Sequence, residues 1–208
     1  MWDGPDLARL YDRISDIQFE GGRRLLGMMG VRKGDAVLDV GCGTGRLAVH
    51  ISDVVGPMGC VRGMDPSPYR VRVAEEKRKV LSPCNLQFSI GQGEDLSAFT
   101  GNAFDRVVYS SVIHWIGDKD AALKEAYRVL KPGGRLVLLY YTFGSLGIYD
   151  KFKTLVRFMR RFRGVPYRHM MSMEEARGLA EKAGFKVEEL KLVGGKIKAV
   201  YLLARKPV

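Results

Sequence analysis

Short apolar runs alternate with longer amphipathic segments along most of this chain. The runs are four to seven residues long and bounded by Gly, Pro or Asp, so they predict buried strands. They are Ala36–Val40, Cys60–Met64, Leu86–Ile90, Arg106–Tyr109 and Arg135–Tyr141. The segments between them predict helices at about residues 44–55, 67–80 and 118–130. This alternation predicts a parallel sheet covered by helices on both faces, with ligands beyond the carboxyl ends of its strands.

The pattern changes after Thr142. A long basic helix is predicted near residues 148–163 and a shorter one at about 173–183. Two alternating runs, Phe185–Lys191 and Lys198–Ala204, then predict an antiparallel hairpin that closes the sheet. The predicted sheet therefore has seven strands, mostly parallel, with an antiparallel strand at its C-terminal side.

The segment Lys131–Gly134 predicts a turn between a helix ending at Leu130 and the strand at Arg135. Pro132 cannot continue a helix, and two glycines permit left-handed backbone. No repeat and no long Pro/Ser-rich linker divides the chain, so a single domain is expected over residues 1–208.

Composition narrows the class of protein. With 208 residues, 46% of them hydrophobic, the chain can bury a core, and its net charge of +11 favours an acidic partner. No stretch approaches the roughly 20 apolar residues of a membrane span, and the start lacks the order of a signal peptide, so we expect a soluble, cytoplasmic protein. Cys42, Cys60 and Cys84 are odd in number and widely spaced, so neither a metal site nor a disulfide framework is predicted.

A glycine-rich loop follows the first predicted strand and opens a helix. Gly41, Gly43 and Gly45 are spaced by two residues, which makes a tight turn whose backbone can approach a ligand closely. A dinucleotide fingerprint would place Gly or Ala where this chain has Arg46, so pyrophosphate binding is the poorer match. Asp39 precedes the loop, and Asp65 ends the next strand, where a carboxylate can accept both hydroxyls of a ribose.

With these residues the chain resembles the class I S-adenosylmethionine-dependent methyltransferases from Val31 to Lys206. The stretches that carry the resemblance are Val37–Gly45, Asp65, Gly91–Leu96, Phe104–Ile116 and Leu130–Leu136. The resemblance implies a Rossmann-like, doubly wound α/β fold, with S-adenosylmethionine as cofactor and S-adenosylhomocysteine as product. The implied cofactor-binding residues are Asp39, Gly41, Cys42, Gly43, Gly45, Asp65, Pro66, Gln92, Gly93, Glu94 and Ser110.

The subgroup most similar to this chain contains small-molecule methyltransferases of the ubiquinone/menaquinone type and the trans-aconitate type. Such relatives usually carry Gly-Asp-Ala-Glu-Asp-Leu, whereas this chain has Gln92 and Gly93 at the second and third positions. Gln92 can still accept from and donate to adenine, through a neutral contact. Arsenite methylation is disfavoured, because Cys42 lies inside the glycine loop and the other two cysteines form no recognisable thiolate cluster.

The candidate catalytic and substrate residues follow from the reaction. An acceptor that must lose a proton needs a base, and His114, five residues past the predicted fourth strand, is the natural candidate; a structural histidine is the alternative. The resemblance implies that residues 1–30 form an N-terminal lid over the cofactor, and Tyr11 in this lid is a second catalytic candidate. Trp115, Tyr140 and Tyr141 are the expected substrate contacts, although at least one aromatic at the end of the fifth strand should be core.

Much of the positive charge lies beside the expected acceptor pocket. Residues 148–170 contain seven basic residues and one acid, Asp150, within a basic substrate-side insertion over 142–172. The preferred acceptor is a small molecule, acidic or amphipathic. The alternatives are RNA, a membrane-associated quinone or lipid reached through this segment, and a non-catalytic cofactor-binding module. No oligomeric state is predicted.

Overall fold

The computed structural model describes residues 4–14, 26–81, 85–140, 171–193 and 199–208. The helices are α1 Pro5–Ile14, α2 Arg46–Val55, α3 Pro68–Leu81, α4 Lys119–Val129 and α5 Met173–Lys182, and a 3₁₀ turn spans Ile113–Trp115. The strands are β1 Ala36–Val40, β2 Cys60–Asp65, β3 Leu86–Ile90, β4 Phe104–Ser110, β5 Leu130–Tyr140, β6 Lys186–Val193 and β7 Ala199–Arg205.

These strands form one sheet in the order β3-β2-β1-β4-β5-β7-β6. β1 to β5 run parallel, and β7 is antiparallel to both of its neighbours, β5 and β6. The predicted fold class is therefore confirmed. The strand order reverses between β1 and β4, and the carboxyl ends of these two neighbouring strands mark the position where such folds bind ligands.

The sheet is covered on both faces, so the inner strands β1, β4 and β7 are mostly buried, whereas the edge strands β3 and β6 are largely exposed. Alternate residues of β1 enter different cores: Val37 packs towards α2, whereas Leu38 and Val40 pack towards α4 and α5. A strand covered on both faces reads as a continuous apolar run. This explains why the limits of β1 could be read directly from its sequence.

The predicted turn at Lys131–Gly134 is wrong. β5 begins at Leu130, and these residues form an irregularity within the strand, because its pairing with β4 jumps from Leu130 opposite Phe104 to Arg135 opposite Arg106. Gly133 has φ +78° and donates to the Lys206 carbonyl, while Gly134 accepts from the Lys206 N–H, both at 2.9 Å. The glycines therefore serve a bulge that is paired with the C-terminal segment.

None of the helices in the described ranges is long and apolar enough to cross a membrane.

Candidate active site

The glycine loop lies between the ends of β1 and β2. The N–H groups of Gly41 and Cys42 both donate to the Met64 carbonyl, at 2.7 and 2.9 Å, which anchors the loop to β2. Gly41 has φ +72°, and a Cβ there would lie 2.2 Å from a Val112 methyl. Gly45 is equally confined, since its Cβ would lie 2.6 Å from the Phe88 ring. There is therefore no space for a Cβ at these two glycines, because neighbouring segments approach the loop backbone closely.

Asp65 is the last residue of β2, and its carboxylate binds the glycine loop. Its two oxygens accept from the N–H groups of Gly43 at 3.0 Å and Ser67 at 2.9 Å, and the Arg70 guanidinium lies 3.8 Å away. Each carboxylate oxygen has two acceptor sites, so both oxygens can also accept a ligand hydroxyl. The ribose-binding role expected for Asp65 stays a prediction that this geometry allows.

Asp39, at the carboxyl end of β1, is buried with one oxygen, Oδ2, that lacks a hydrogen-bond partner. Burial, and then the charge of nearby Asp65, raise the pKa of Asp39 to about 7. A buried carboxyl group without a counter-ion is costly unless a cation joins it. The position is therefore suited to a ligand ammonium group.

The turn after β4 carries two further buried polar atoms without a partner among the described residues. They are Ser111 Oγ and His114 Nδ1. Ser111 has φ +58°, a conformation that costs a non-glycine residue free energy and is concentrated at functional sites. Val112 then lies against Gly41, so this turn borders the glycine loop.

His114 and Trp115 form the outer part of the same turn. Their rings are 5.2 Å apart, and Trp115 is 46% exposed. Burial, and then the nearby Lys119 charge, lower the pKa of His114 to about 4, so its imidazole is neutral at pH 7. A neutral imidazole has one ring nitrogen able to accept a proton.

In the loop after β3, Gly93 is surrounded so closely that a Cβ has no free space there. A Cβ at Gly93 would lie 2.7 Å from Ile116 and 3.2 Å from Val40. Gln92 is exposed, so its side chain lies outside the core, and its backbone carbonyl accepts from the Asp95 N–H. Glu94 accepts from the Gly117 N–H at 3.1 Å and so ties this loop to the turn that carries His114.

The remaining predicted residues lie in varied places. Cys42 is buried, and burial raises the pKa of its thiol, so it contributes to the loop through its backbone. Pro66 is exposed, and Ser110 is the half-buried last residue of β4. Tyr140 is in the core and donates to the Ser172 carbonyl at 2.9 Å. The Tyr11 side chain, Tyr141 and residues 148–170 lie outside the described part, and the assigned roles stay predictions.

Sequence reasoning missed two parts of this site. Ser111 could not be distinguished from Ser110, because no local signal gives a serine a positive φ. Asp12 on α1, next to Tyr11, accepts from the Thr44 hydroxyl in the glycine loop at 2.6 Å. The two residues are 32 positions apart, and no pattern in the sequence connects them.

The donors and acceptors at this edge of the sheet fit S-adenosylmethionine. Asp39 can take the ammonium of its methionine part, Asp65 can take its ribose hydroxyls, and the glycine loop leaves room for close approach between them. The unpartnered Asp39 oxygen is the observation that supports the fit, because it can accept a hydrogen bond from the ammonium group.

Comparisons with known proteins agree with this geometry. The family described as methyltransferase domain matches residues 31–162. A demethylmenaquinone methyltransferase of Staphylococcus carnosus is 32% identical over 217 residues, covering 95% of this chain and 89% of that protein.

Two solved structures share the fold. A SAM-dependent methyltransferase from Aquifex aeolicus has a TM-score of 0.78 at 23% identity, covering 98% of both chains. A Haloferax volcanii methyltransferase in complex with the Trm112 activator has a TM-score of 0.79 at 21% identity, covering 97% of this chain and 94% of that one. The glycine loop, its two carboxylates and these relatives together show that the chain belongs to the class I S-adenosylmethionine-dependent methyltransferases.

Proposed function

We propose that this enzyme transfers a methyl group from S-adenosylmethionine to a ring carbon of a reduced naphthoquinone of the demethylmenaquinone type. The observation that carries the proposal is the pair of unpartnered polar atoms, Ser111 Oγ and His114 Nδ1, beside the glycine loop. They suit an acceptor with two ring oxygens. The Staphylococcus carnosus relative, whose name specifies this acceptor, supports the same choice.

The cofactor would be held by the ends of β1 and β2. Asp39 binds the ammonium, Asp65 binds the ribose hydroxyls, and Gln92 and Glu94 lie in the loop that would border adenine. When bound, S-adenosylmethionine supplies a methyl group on a positively charged sulfur. The enzyme's task is then to place the acceptor carbon in line with that methyl group and to exclude water.

His114 would act as the base. A ring hydroxyl of the acceptor donates a hydrogen bond to the neutral Nδ1, which accepts the proton while the adjacent ring carbon attacks the methyl group, because the hydroxyl becomes acidic as that carbon–carbon bond forms. One carbon–carbon bond forms as the sulfur–carbon bond breaks. The ring then loses the proton of the methylated carbon to restore the hydroquinone, so the net change releases one proton.

Ser111 and Trp115 would position the ring. The Ser111 hydroxyl donates to the second ring oxygen, which fixes the acceptor's orientation towards the glycine loop. The exposed Trp115 ring offers a flat apolar surface next to His114, suited to the naphthalene ring or to the first part of a prenyl chain. Both residues would therefore affect acceptor binding more than cofactor binding.

The decisive assay uses a short-chain demethylmenaquinone, reduced with dithionite, and S-adenosylmethionine labelled in its methyl group. We expect one labelled methyl group per ring, found on carbon by mass spectrometry and NMR. The oxidised quinone is the matched substrate control, because it has no hydroxyl proton for His114 to accept. Label that enters RNA or phospholipid but not the quinol would contradict the proposal.

A His114→Gln variant should lower kcat about 100-fold or more while the affinity for S-adenosylhomocysteine stays unchanged. His50→Gln is the matched control, since His50 lies on α2 rather than on the turn after β4. If His114→Gln keeps the full rate, His114 is not the base. The acceptor would then be decided by the labelling experiment alone.

A further inference from the structure

A polar junction joins α1, the glycine loop and α3. Asp12 is at its centre: one carboxylate oxygen accepts from both the Thr44 hydroxyl and the Lys77 ammonium. Lys77 also donates to the Thr44 carbonyl at 3.1 Å, and the Arg46 guanidinium donates to the Asp12 carbonyl at 3.1 Å. Three segments distant in sequence therefore meet at one side chain.

The residues of this junction stabilise the negative charge of the Asp12 carboxylate. Burial alone would raise the pKa of Asp12, but the hydrogen bonds from Lys77 and Thr44 outweigh it, so its pKa is lowered and the carboxylate is ionised at neutral pH. Asp12 and Lys77 are both about one quarter exposed, which makes their ion pair less screened than one on an open surface.

Thr44 links this junction to the cofactor site. It is 2% exposed and stands between Gly43, whose N–H bonds to Asp65, and Gly45, which precedes α2. The carboxylate of Asp12 therefore fixes the middle of the loop at Thr44, next to the residue that Asp65 holds. Displacement of α1 would break the bonds to Thr44, Lys77 and Arg46 together.

We propose that Asp12 is a positioning residue for the cofactor: it fixes the glycine loop through Thr44, and with Lys77 it holds α1 against the loop, so that loss of this junction loosens the loop and speeds cofactor release. The inference rests on the proposed cofactor site. It adds a residue whose effect should fall on the cofactor's dissociation rate rather than on the chemical step.

The test compares Asp12→Asn, Lys77→Met and the double variant with the full-length wild type. The control is Asp6→Asn, which removes one negative charge from the exposed first turn of α1. Surface plasmon resonance measures the dissociation rate of S-adenosylhomocysteine, and steady-state kinetics separate KM from kcat. Amide hydrogen exchange at residues 43–45 is measured without any ligand.

We expect Asp12→Asn to raise the dissociation rate and the KM for S-adenosylmethionine about tenfold, with kcat not lowered. Exchange at residues 43–45 should quicken in the same variant, Lys77→Met should act likewise, and the double variant should exceed neither by much, because the two residues share one interaction. Asp6→Asn should match the wild type.

Unchanged dissociation and unchanged exchange in Asp12→Asn would overturn the proposal, as would an equal effect of Asp6→Asn. A wild type that does not bind S-adenosylhomocysteine would instead refute the cofactor site. The ligand-free exchange comparison would still decide whether Asp12 fixes the loop. If Asp12→Asn fails to fold, Lys77→Met tests the same junction from α3.

Discussion

The affinity for cofactor should depend on the ionisation of Asp39. Burial and the Asp65 charge raise the pKa of Asp39 to about 7, so about half of the ligand-free enzyme carries a proton on this group at pH 7. Binding an ammonium group requires the ionised form, because a protonated carboxyl would lose the charge attraction. Cofactor binding at pH 7 should therefore release about half a proton per molecule bound.

The size of the effect follows from the ionised fraction of Asp39. With a pKa of about 7, this fraction falls from about one half at pH 7 to about 3% at pH 5.5, so the affinity should fall about 15-fold over that interval. The ligand's own amino group, with a pKa near 8, keeps its proton throughout this range. The interval from pH 5.5 to 7 therefore isolates the enzyme's group.

Isothermal titration calorimetry with S-adenosylhomocysteine measures both quantities. This ligand keeps the amino acid part of the cofactor, and titrations in buffers with different ionisation enthalpies count the protons released. Asp39→Asn is the matched control, since its affinity should be weak and independent of pH. A wild-type affinity that does not change between pH 5.5 and 7, or binding without proton release, would refute the placement of Asp39 against the ammonium.

The same pKa has a consequence for stability. The pKa of Asp39 is raised from 3.8 in the unfolded chain to about 7 in the folded one, so the folded state binds the proton more tightly. Its stabilising contribution is fully present below pH 3.8 and is lost as the pH rises through about 7, with a total on the order of 4 kcal/mol. Asp39→Asn should therefore raise the Tm of the ligand-free protein more at pH 8 than at pH 5.

Other perturbations test the remaining parts of the site. Gly41→Ala should abolish cofactor binding, because its Cβ would meet Val112 at a φ of +72°. Chemical denaturation should show that its free energy of unfolding is lower by more than about 2 kcal/mol. The control Gly178→Ala, at an exposed position inside α5, should instead stabilise the protein by about 1 kcal/mol. Asp65→Asn should weaken binding of S-adenosylhomocysteine at least tenfold by calorimetry, while binding of methionine, which lacks the ribose, is unaffected. The pKa of His114 is lowered to about 4, so its titration should leave kcat unchanged from pH 6 to 8. Below about pH 5, where His114 becomes protonated, the rate of methyl transfer in pre-steady-state measurements should fall.

Most of the fold could be predicted from the sequence, because most helices and strands are determined by the pattern of apolar and polar residues within them. The run Ala36–Val40 matches β1 to the residue, since a strand buried on both faces reads as a continuous apolar run. The run Leu86–Ile90 matches the edge strand β3, in which buried Leu86 and half-buried Phe88 alternate with exposed polar residues. β5 was misread because Lys131–Gly134 has the composition of a turn. The partner that keeps it in the strand is the Lys206 backbone, more than 70 residues away.

The cofactor side of the site was also predictable, because each of its parts follows a strand. Asp39, the glycines and Asp65 lie at strand ends with a spacing that resembles the class I methyltransferases, and the structure brings them together. The acceptor side could not be assigned in the same way. Ser111 gains its importance from a backbone conformation, and Asp12 gains it from Lys77, 65 positions later.

Gly41 shows how local and distant constraints combine at this site. Its positive φ is visible to sequence reasoning as a general property of glycine in tight turns, and that property alone would allow asparagine at some cost. The contact with Val112 is more restrictive, because it leaves no space for any Cβ. Since Val112 follows the strained Ser111, the close approach of the two segments sets the distance between the glycine loop and the His114 turn. The residue that best fits the cofactor motif therefore also positions the acceptor side, and loss of methyl transfer in a Gly41 variant should not be attributed to cofactor binding alone.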